Sequence, residues 1–181
     1  TLDRVGASPS VFDPEKLLWM NAQYIARMPA EELLARVAPA APEGMPGRVV
    51  ALRAIELHRS RARTIVEMGR ALSAYARDPD DFDADGMKKQ VKAETPAHLE
   101  RLIARLETQE EWSVEALEAI VRQTAESLGL SAARLIHPVR LALTGTTVGA
   151  PLFDVLALLG RETALRRLRK FVEAIQPKTP A

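Results

Sequence analysis

The chain predicts an all-α fold, and three observations carry that expectation. Apolar residues recur at three- and four-residue spacing in one segment after another, as in Ile65, Met68, Leu72 and Tyr75 or Leu99, Leu102, Ile103 and Leu106. Helix-start pairs and helix-stop glycines punctuate these segments: Asp13-Pro14, Thr95-Pro96 and Ser113 on one side, Gly129 and Gly145 on the other. No stretch alternates β-branched residues, and no hairpin turn separates two apolar runs. The pattern predicts about ten helices of modest length in two small helical bundle domains, each too small to be very stable without the other.

Taken in order, Thr1 to Val11 carries Gly6, Ser8, Pro9 and Ser10 and reads as linker. Asp13 is a good N-cap with Pro14 at the first helical position, and the helix runs to about Arg27 with Leu17, Met20, Tyr24 and Met28 on one stripe. Pro29 stops it. A shorter helix over Glu31 to Val37 ends at the loop from Pro39 to Pro46. The next runs from about Gly47 to Arg59, with Val50, Ala54 and Leu57 inward. Ser60 or Thr64 begins another, and Asp78-Pro79-Asp80-Asp81 breaks it in a surface loop. Asp83 or Asp85 caps a short helix through Val91, and Thr95-Pro96 opens the helix of Leu99 to Leu106. Ser113 caps a helix that buries Leu117, Ile120 and Val121 and ends at Gly129. Ser131 starts a helix that Pro138 is expected to kink or divide. Helices from Pro151 and from about Arg161 complete the chain, and residues 177–180 read as a loose tail. The aspartate loop and the break from Lys92 to Pro96 mark the boundary, so the chain divides into residues 1–28, 29–94 and 95–181.

With 181 residues, 47% hydrophobic and 27% charged, the chain can bury a core, and its net charge of +1 excludes a uniformly basic surface. Locally the charge is uneven. Arg48 to Arg70 holds six arginines against two glutamates, and Arg134 to Lys170 holds seven cations against Asp154 and Glu162. Five aspartates from Asp78 to Asp85 and a glutamate-rich stretch from Glu100 to Glu126 separate them, which points to a directed basic face. The lack of cysteine excludes disulfides, thiolate nucleophiles and Cys-ligated zinc and fits a cytoplasmic protein. No apolar run reaches membrane-spanning length, so no membrane partner is expected. The start at Thr1 rather than Met suggests a piece of a longer protein.

Enzyme motifs are absent: there is no phosphate-binding glycine loop and no HExxH, and His58, His98 and His137 are far apart and expected on helix surfaces. Neither a catalytic residue nor a metal site is expected, and Trp19 and Trp112 read as core. The arginines remain. Arg59, Arg61 and Arg63 cannot share one helical face, since alternate residues diverge by about 200°; at an interhelix corner their guanidiniums can converge. Arginine suits bidentate contact with phosphate or a base edge, and single-stranded RNA is read through splayed bases. The corner from His137 to Phe153, where Arg140 precedes Thr144-Gly145 and Ala150-Pro151-Leu152 follows, offers such a surface. The cluster Arg166, Arg167, Arg169 and Lys170 reads as a solvated or general electrostatic face, with Arg167 expected to attract any RNA alike.

Three stretches carry a family resemblance. They are Phe12-Asp13-Pro14-Glu15-Lys16-Leu17-Leu18-Trp19-Met20-Asn21-Ala22-Gln23-Tyr24-Ile25, then Gln109-Glu110-Glu111-Trp112, then Pro138-Val139-Arg140-Leu141-Ala142-Leu143-Thr144-Gly145 with Leu152-Phe153 and Leu158-Leu159-Gly160. In this order and spacing they resemble the C-terminal, anticodon-binding region of bacterial glutamyl-tRNA synthetase, a class I aminoacyl-tRNA synthetase, from Phe12 to about Val172. The resemblance implies two helical domains of the α-helix cage type that grip the anticodon loop of glutamate tRNA. It implies that the catalytic half of the parent ligase, which uses ATP and Mg, precedes them; the fragment itself has no cofactor and is not an enzyme. It implies a cytoplasmic monomer acting in translation, with glutamate tRNA and the N-terminal catalytic domain as partners.

Residue by residue, Arg61 aligns with an arginine that reads the last anticodon base, and Arg140 with an arginine at the anticodon. Ala150, Pro151 and Leu152 align with the segment against an unstacked base, and Arg53 and Arg122 with basic positions near the loop. Lys16, Trp19 and Arg27 fall in the segment that contacts the tRNA stem. Ala26 departs from the pattern, since a basic residue often follows Tyr-Ile directly. Arg61 itself implies an enzyme that rejects glutamine tRNA. A helical protein–protein docking domain without RNA binding is the alternative reading.

Overall fold

A computed structural model describes residues 12–41 and 44–176. They form α1 (Pro14–Arg27), α2 (Ala30–Val37) with a 3-10 turn (Ala38–Ala40), α3 (Arg48–His58), α4 (Ile65–Ala76), α5 (Ala84–Gln90), α6 (Thr95–Glu107), α7 (Val114–Ser127), α8 (Ala133–Thr144) and α9 (Leu152–Ile175). Among the described residues there is no strand. The linker expected before Val11 and the tail expected over residues 177–180 lie outside them.

Local chemistry sets the helix ends much as expected. The Asp13 carboxylate accepts from the backbone N–H groups of Glu15 and Lys16, Thr64 from Glu67, Asp83 from Gly86 and Ser113 from Ala116, each meeting donors that a helix start leaves open. Thr95 is the first residue of α6 rather than its cap; its hydroxyl accepts from the Lys92 N–H at 2.8 Å. Gly145 closes α8 with φ 73°, and a Cβ there would stand 2.7 Å from the Asp81 carbonyl oxygen, so only glycine fits. Of the two outcomes expected at Pro138, a kink or two short helices, the second does not occur: α8 is one helix, and it begins at Ala133 rather than Ser131. The expected new start at Arg161 is real: α9 changes direction at Gly160, whose φ of 75° and ψ of 164° are not helical.

Two hydrophobic cores form. The first collects Ile25, Leu33, Val37, Ala51, Ala54, Ile55, Met68, Leu72 and Tyr75 from α1 to α4; the second is built from α6 to α9 around Leu99, Leu102, Leu106, Leu117, Leu135 and Phe171. Phe82, Met87 and Val91 pack on the second core, while Ala150 and Val155, from the α8–α9 loop and the start of α9, belong to the first. Each fully buried leucine or phenylalanine contributes about 1.5–3 kcal/mol. Exposed ion pairs such as Arg36–Glu32 at 2.7 Å contribute about 0–1 kcal/mol, so the cores decide the fold.

Two expectations are corrected. Trp19, expected in the core, is 62% exposed on α1 beside exposed Leu17, Met20 and Tyr24, and only Ile25 of this helix is buried. An amphipathic helix shows which face is apolar but not what covers it. In the Arg166 to Lys170 cluster, Arg166, Arg169 and Lys170 are exposed as expected, but Arg167 is not. Arg167 is 2% exposed; its Nε donates to the Asp78 carboxylate at 2.9 Å, Nη1 to the carbonyls of Ala74 at 2.8 Å and Leu143 at 2.6 Å, and Nη2 to that of Arg77 at 2.6 Å. Arg166 binds Asp78 with two further hydrogen bonds and Lys170 pairs with Asp80, so the aspartate loop is a docking point for α9.

This node joins the end of α4, the following loop, the end of α8 and the second half of α9. Arg167→Met should leave three carbonyls and a carboxylate short of a buried partner and cost about 3–5 kcal/mol in urea denaturation. A loss below about 1 kcal/mol would show that the node does not hold the fold. The hydrogen bond from Arg166, then that from Arg167, lowers the Asp78 carboxyl to about 2 against partial burial. Its stabilisation is therefore complete above the unfolded value near 3.8 and is lost as pH falls through about 2. Denaturation curves between pH 5 and pH 2 should lose stability over that window, and Asp78→Asn should flatten the decline.

Candidate functional site

Between the two units lies a cleft of about 250 Å³. From the first come His58 at the end of α3 and Arg70, Ala71, Ala74 and Tyr75 of α4; from the second come Arg140 and Thr144 of α8, the loop residues Thr146, Val148, Gly149 and Ala150, and Val155 of α9. The α8–α9 loop is held against the first unit because Ala150 is buried there at 1% exposure. Arg140 fastens the loop from within its own unit: Nη1 donates to the Ala150 carbonyl at 2.7 Å, and the Thr144 hydroxyl donates to the Arg140 carbonyl at 2.9 Å.

The expected site residues are brought together in part. Arg61 and Arg140, from different units, both act on His58, and Arg61 also acts on Arg140. Arg61 is exposed, and its guanidinium touches only the Leu57 carbonyl at 3.3 Å and the Ser60 hydroxyl at 3.5 Å. Neither arginine has a carboxylate at salt-bridge distance among the described residues, whereas Arg59, Arg63, Arg166 and Arg169 all do. Pro151 caps α9 exposed, and Leu152 turns inward at 4% exposure. Arg53 lines a neighbouring cleft with Leu57, Trp112 and Asp154. Arg122 stands apart on α7, paired with Glu118. Lys16, Trp19 and Arg27 are exposed on α1, where Trp19 and Arg27 share a shallow depression with Met20 and Tyr24.

Three further residues of the cleft carry no expectation from the sequence or a wrong one. Arg70 reaches its rim and also lines the adjoining groove above Arg77 and Asp78; the density of arginine from Arg48 to Arg70 was the signal for it. His58 is not a surface histidine. Its Nε2 lies 3.1 Å from the Tyr75 hydroxyl, and burial, followed by the charges of Arg61 and Arg140, pushes it down to about 4, so the ring is neutral at pH 7. Burial likewise raises Tyr75, which keeps its proton. Among the described residues no group of three His, Cys, Asp or Glu stands together as a metal site, and no helix is long and apolar enough to cross a membrane.

The arrangement concentrates positive charge where two like-charged guanidiniums lie close, one exposed and the other half-buried. Leaving such charges without carboxylates costs stability unless an anionic ligand offsets the repulsion. Trp112, on the α6–α7 connection, is positioned by its own side: its Nε1 donates to the Leu156 carbonyl at 3.3 Å, and Arg161 lies over its ring at 5.1 Å. Arg161 also donates to the carbonyls of Glu107, Gln109 and Glu110, fixing the Gln109–Trp112 stretch against α9.

Residues 17–172 match the model of the anticodon binding domain family. The chain is 35% identical over 178 residues to a glutamate–tRNA ligase of Syntrophobacter fumaroxidans, covering 97% of this chain and 38% of that protein. It is 38% identical over 185 residues to the glutamate–tRNA ligase of Roseiflexus castenholzii, covering 97% of this chain and 36% of that one. A solved glutamate tRNA ligase from Elizabethkingia meningosepticum, in complex with its amino acid, superposes with a TM-score of 0.85 at 25% identity over 97% of this chain and 35% of its own length. The chain thus spans under two fifths of the length of the curated relatives it matches. With its helical fold, its inter-unit cleft and a family match over most of its length, this chain belongs to the anticodon binding domain family.

Proposed function

We propose that the chain binds the anticodon loop of glutamate tRNA and serves as the anticodon-binding part of a longer glutamate–tRNA ligase. The observation that carries this reading is a cleft between two units that holds Arg70 and Arg140 without a carboxylate partner among the described residues, with the exposed Arg61 near enough for its charge to act on His58 and Arg140. In this reading Arg61 reads a base edge, Arg140 holds the loop that meets an unstacked base, and Pro151 supplies its exposed apolar side with Ala150 and Leu152 buried behind it as anchors. Arg53 and Arg122 add attraction for the phosphate backbone. The exposed face of α1, with Lys16, Trp19 and Arg27, meets the tRNA stem and the adjoining part of the longer chain. That part carries the ligation of glutamate with ATP and Mg, and the whole works as a cytoplasmic monomer.

Phosphate contacts give affinity and salt dependence, whereas base contacts give selectivity. Filter binding of the 181-residue chain to glutamate tRNA should therefore show a steep decline of affinity with salt. Arg53→Ala should weaken all RNAs alike and reduce the salt slope by about one. Arg61→Ala should lower discrimination at one anticodon base by about 1–3 kcal/mol. Unchanged ratios between cognate and anticodon-altered RNAs in Arg61→Ala would remove the base-reading role, and a chain without measurable tRNA affinity would overturn the reading.

A further inference from the structure

Within the cleft, hydrogen-bonding capacity is unevenly distributed. Arg70 and Arg140, with Arg61 near the latter, can only donate. The Ala150 carbonyl accepts from Arg140, the Thr144 hydroxyl donates to the Arg140 carbonyl, and the Thr146 hydroxyl donates to the Val148 carbonyl at 2.7 Å, so these groups, which keep acceptor lone pairs, are tied to the α8–α9 loop. The pair formed by His58 and Tyr75 is an acceptor on the opposite unit, held by helices rather than by the loop. Their rings meet edge to face, with centroids 5.8 Å apart and an interplanar angle of 81°, and the Nε2–hydroxyl contact is 3.1 Å. Tyr75 is 9% exposed, so packing fixes where its hydroxyl stands.

The proton in this contact has two arrangements. If the tyrosine donates to Nε2, its oxygen keeps an open lone pair and Nδ1–H is a donor. If Nε2–H donates to the tyrosine oxygen, Nδ1 is the open acceptor. In both arrangements the pair retains one acceptor, because His58 is neutral between Arg61 and Arg140. An exocyclic amino group on a base is a donor and needs such an acceptor, whereas a keto oxygen is served by the arginines.

We propose that His58 and Tyr75 are specificity-determining residues of the cleft, accepting a hydrogen bond from the amino-bearing edge of one unstacked base. This rests on the RNA-binding reading above and adds to it the discrimination of amino-bearing from keto-bearing bases at one position. The pair joins α3 to α4, and its ring-on-ring packing is separable from its hydrogen bonding, because Tyr75→Phe keeps the ring and deletes only the hydroxyl.

The experiment measures affinities of the 181-residue chain for anticodon hairpins in which each loop position carries cytosine or uracil, a pair that differs by an amino group against a keto oxygen, whereas guanine bears both. The unaltered chain should prefer the amino-bearing base at one position. Tyr75→Phe and His58→Phe should each reduce that preference by about five- to tenfold, leaving affinity for the keto-bearing hairpin and the salt slope unchanged. A merely structural role would weaken all hairpins alike; that result, or an unchanged preference, overturns the proposal. Imidazole 15N shifts of the unaltered chain provide a readout independent of the variants' folding. The His58 nitrogens should move on addition of the amino-bearing hairpin and not of its keto counterpart; equal movement, or none, again overturns it. Hairpin binding with unchanged ratios defeats this inference alone, whereas no hairpin binding at all defeats the RNA-binding reading and takes this inference with it.

Discussion

The buried guanidinium of Arg167 is the constraint on which the rest of the molecule depends. Two small cores, each made of short helices, meet along a seam that would otherwise be held by modest apolar contact. Arg167 crosses that seam from α9 and satisfies carbonyls at the ends of α4 and α8 together with the Asp78 carboxylate. Taking a guanidinium out of water is expensive, and the cost is offset only when its donors find good partners. Here four hydrogen bonds with separations of 2.6 to 2.9 Å meet that requirement. The consequence is geometric, since the same ends of α4 and α8 carry Tyr75 and Thr144 on opposite walls of the cleft.

The arginines divide into two groups by what they face. Arg59, Arg63, Arg122, Arg166, Arg167 and Arg169 each have a carboxylate in reach, and these pairs are internal structure. Among the described residues Arg61 and Arg140 have none, nor do Arg53 and Arg70, and the charge of Arg61 lowers Arg140 further after burial has done so. A protein selected for stability alone would place an acid between them. Leaving them open keeps a directed positive surface on a chain whose net charge is only +1. The neutral His58–Tyr75 pair sits beneath them as uncharged polar ground.

What was legible in the sequence was mainly local. Asp13, Thr64, Asp83 and Ser113 announce helix starts because a cap needs only its own next few residues. Gly129 and Gly145 announce stops because a left-handed residue is a property of one position. Arg167 was misread because its carboxylate partner lies 89 residues away in the aspartate loop, and spacing along one helix says nothing of that. Trp19 was misread because a large aromatic looks the same in sequence whether or not the described residues cover it. His58 was misread because its burial depends on Tyr75 from the next helix and Arg140 from the other unit. The convergence of Arg61 with Arg140 followed from the family resemblance; spacing alone left it open.

The central claim is that the Arg167 node holds the two units at one angle, so that the walls of the cleft keep their distance. The chain has no cysteine, so Val66→Cys on α4 and Glu126→Cys on α7, both exposed, accept two spin labels and no others. Pulsed electron paramagnetic resonance should give one narrow distance distribution between them, which broadens when Arg167→Met is added. A broad distribution with Arg167 in place, or an equally narrow one without it, would contradict the account.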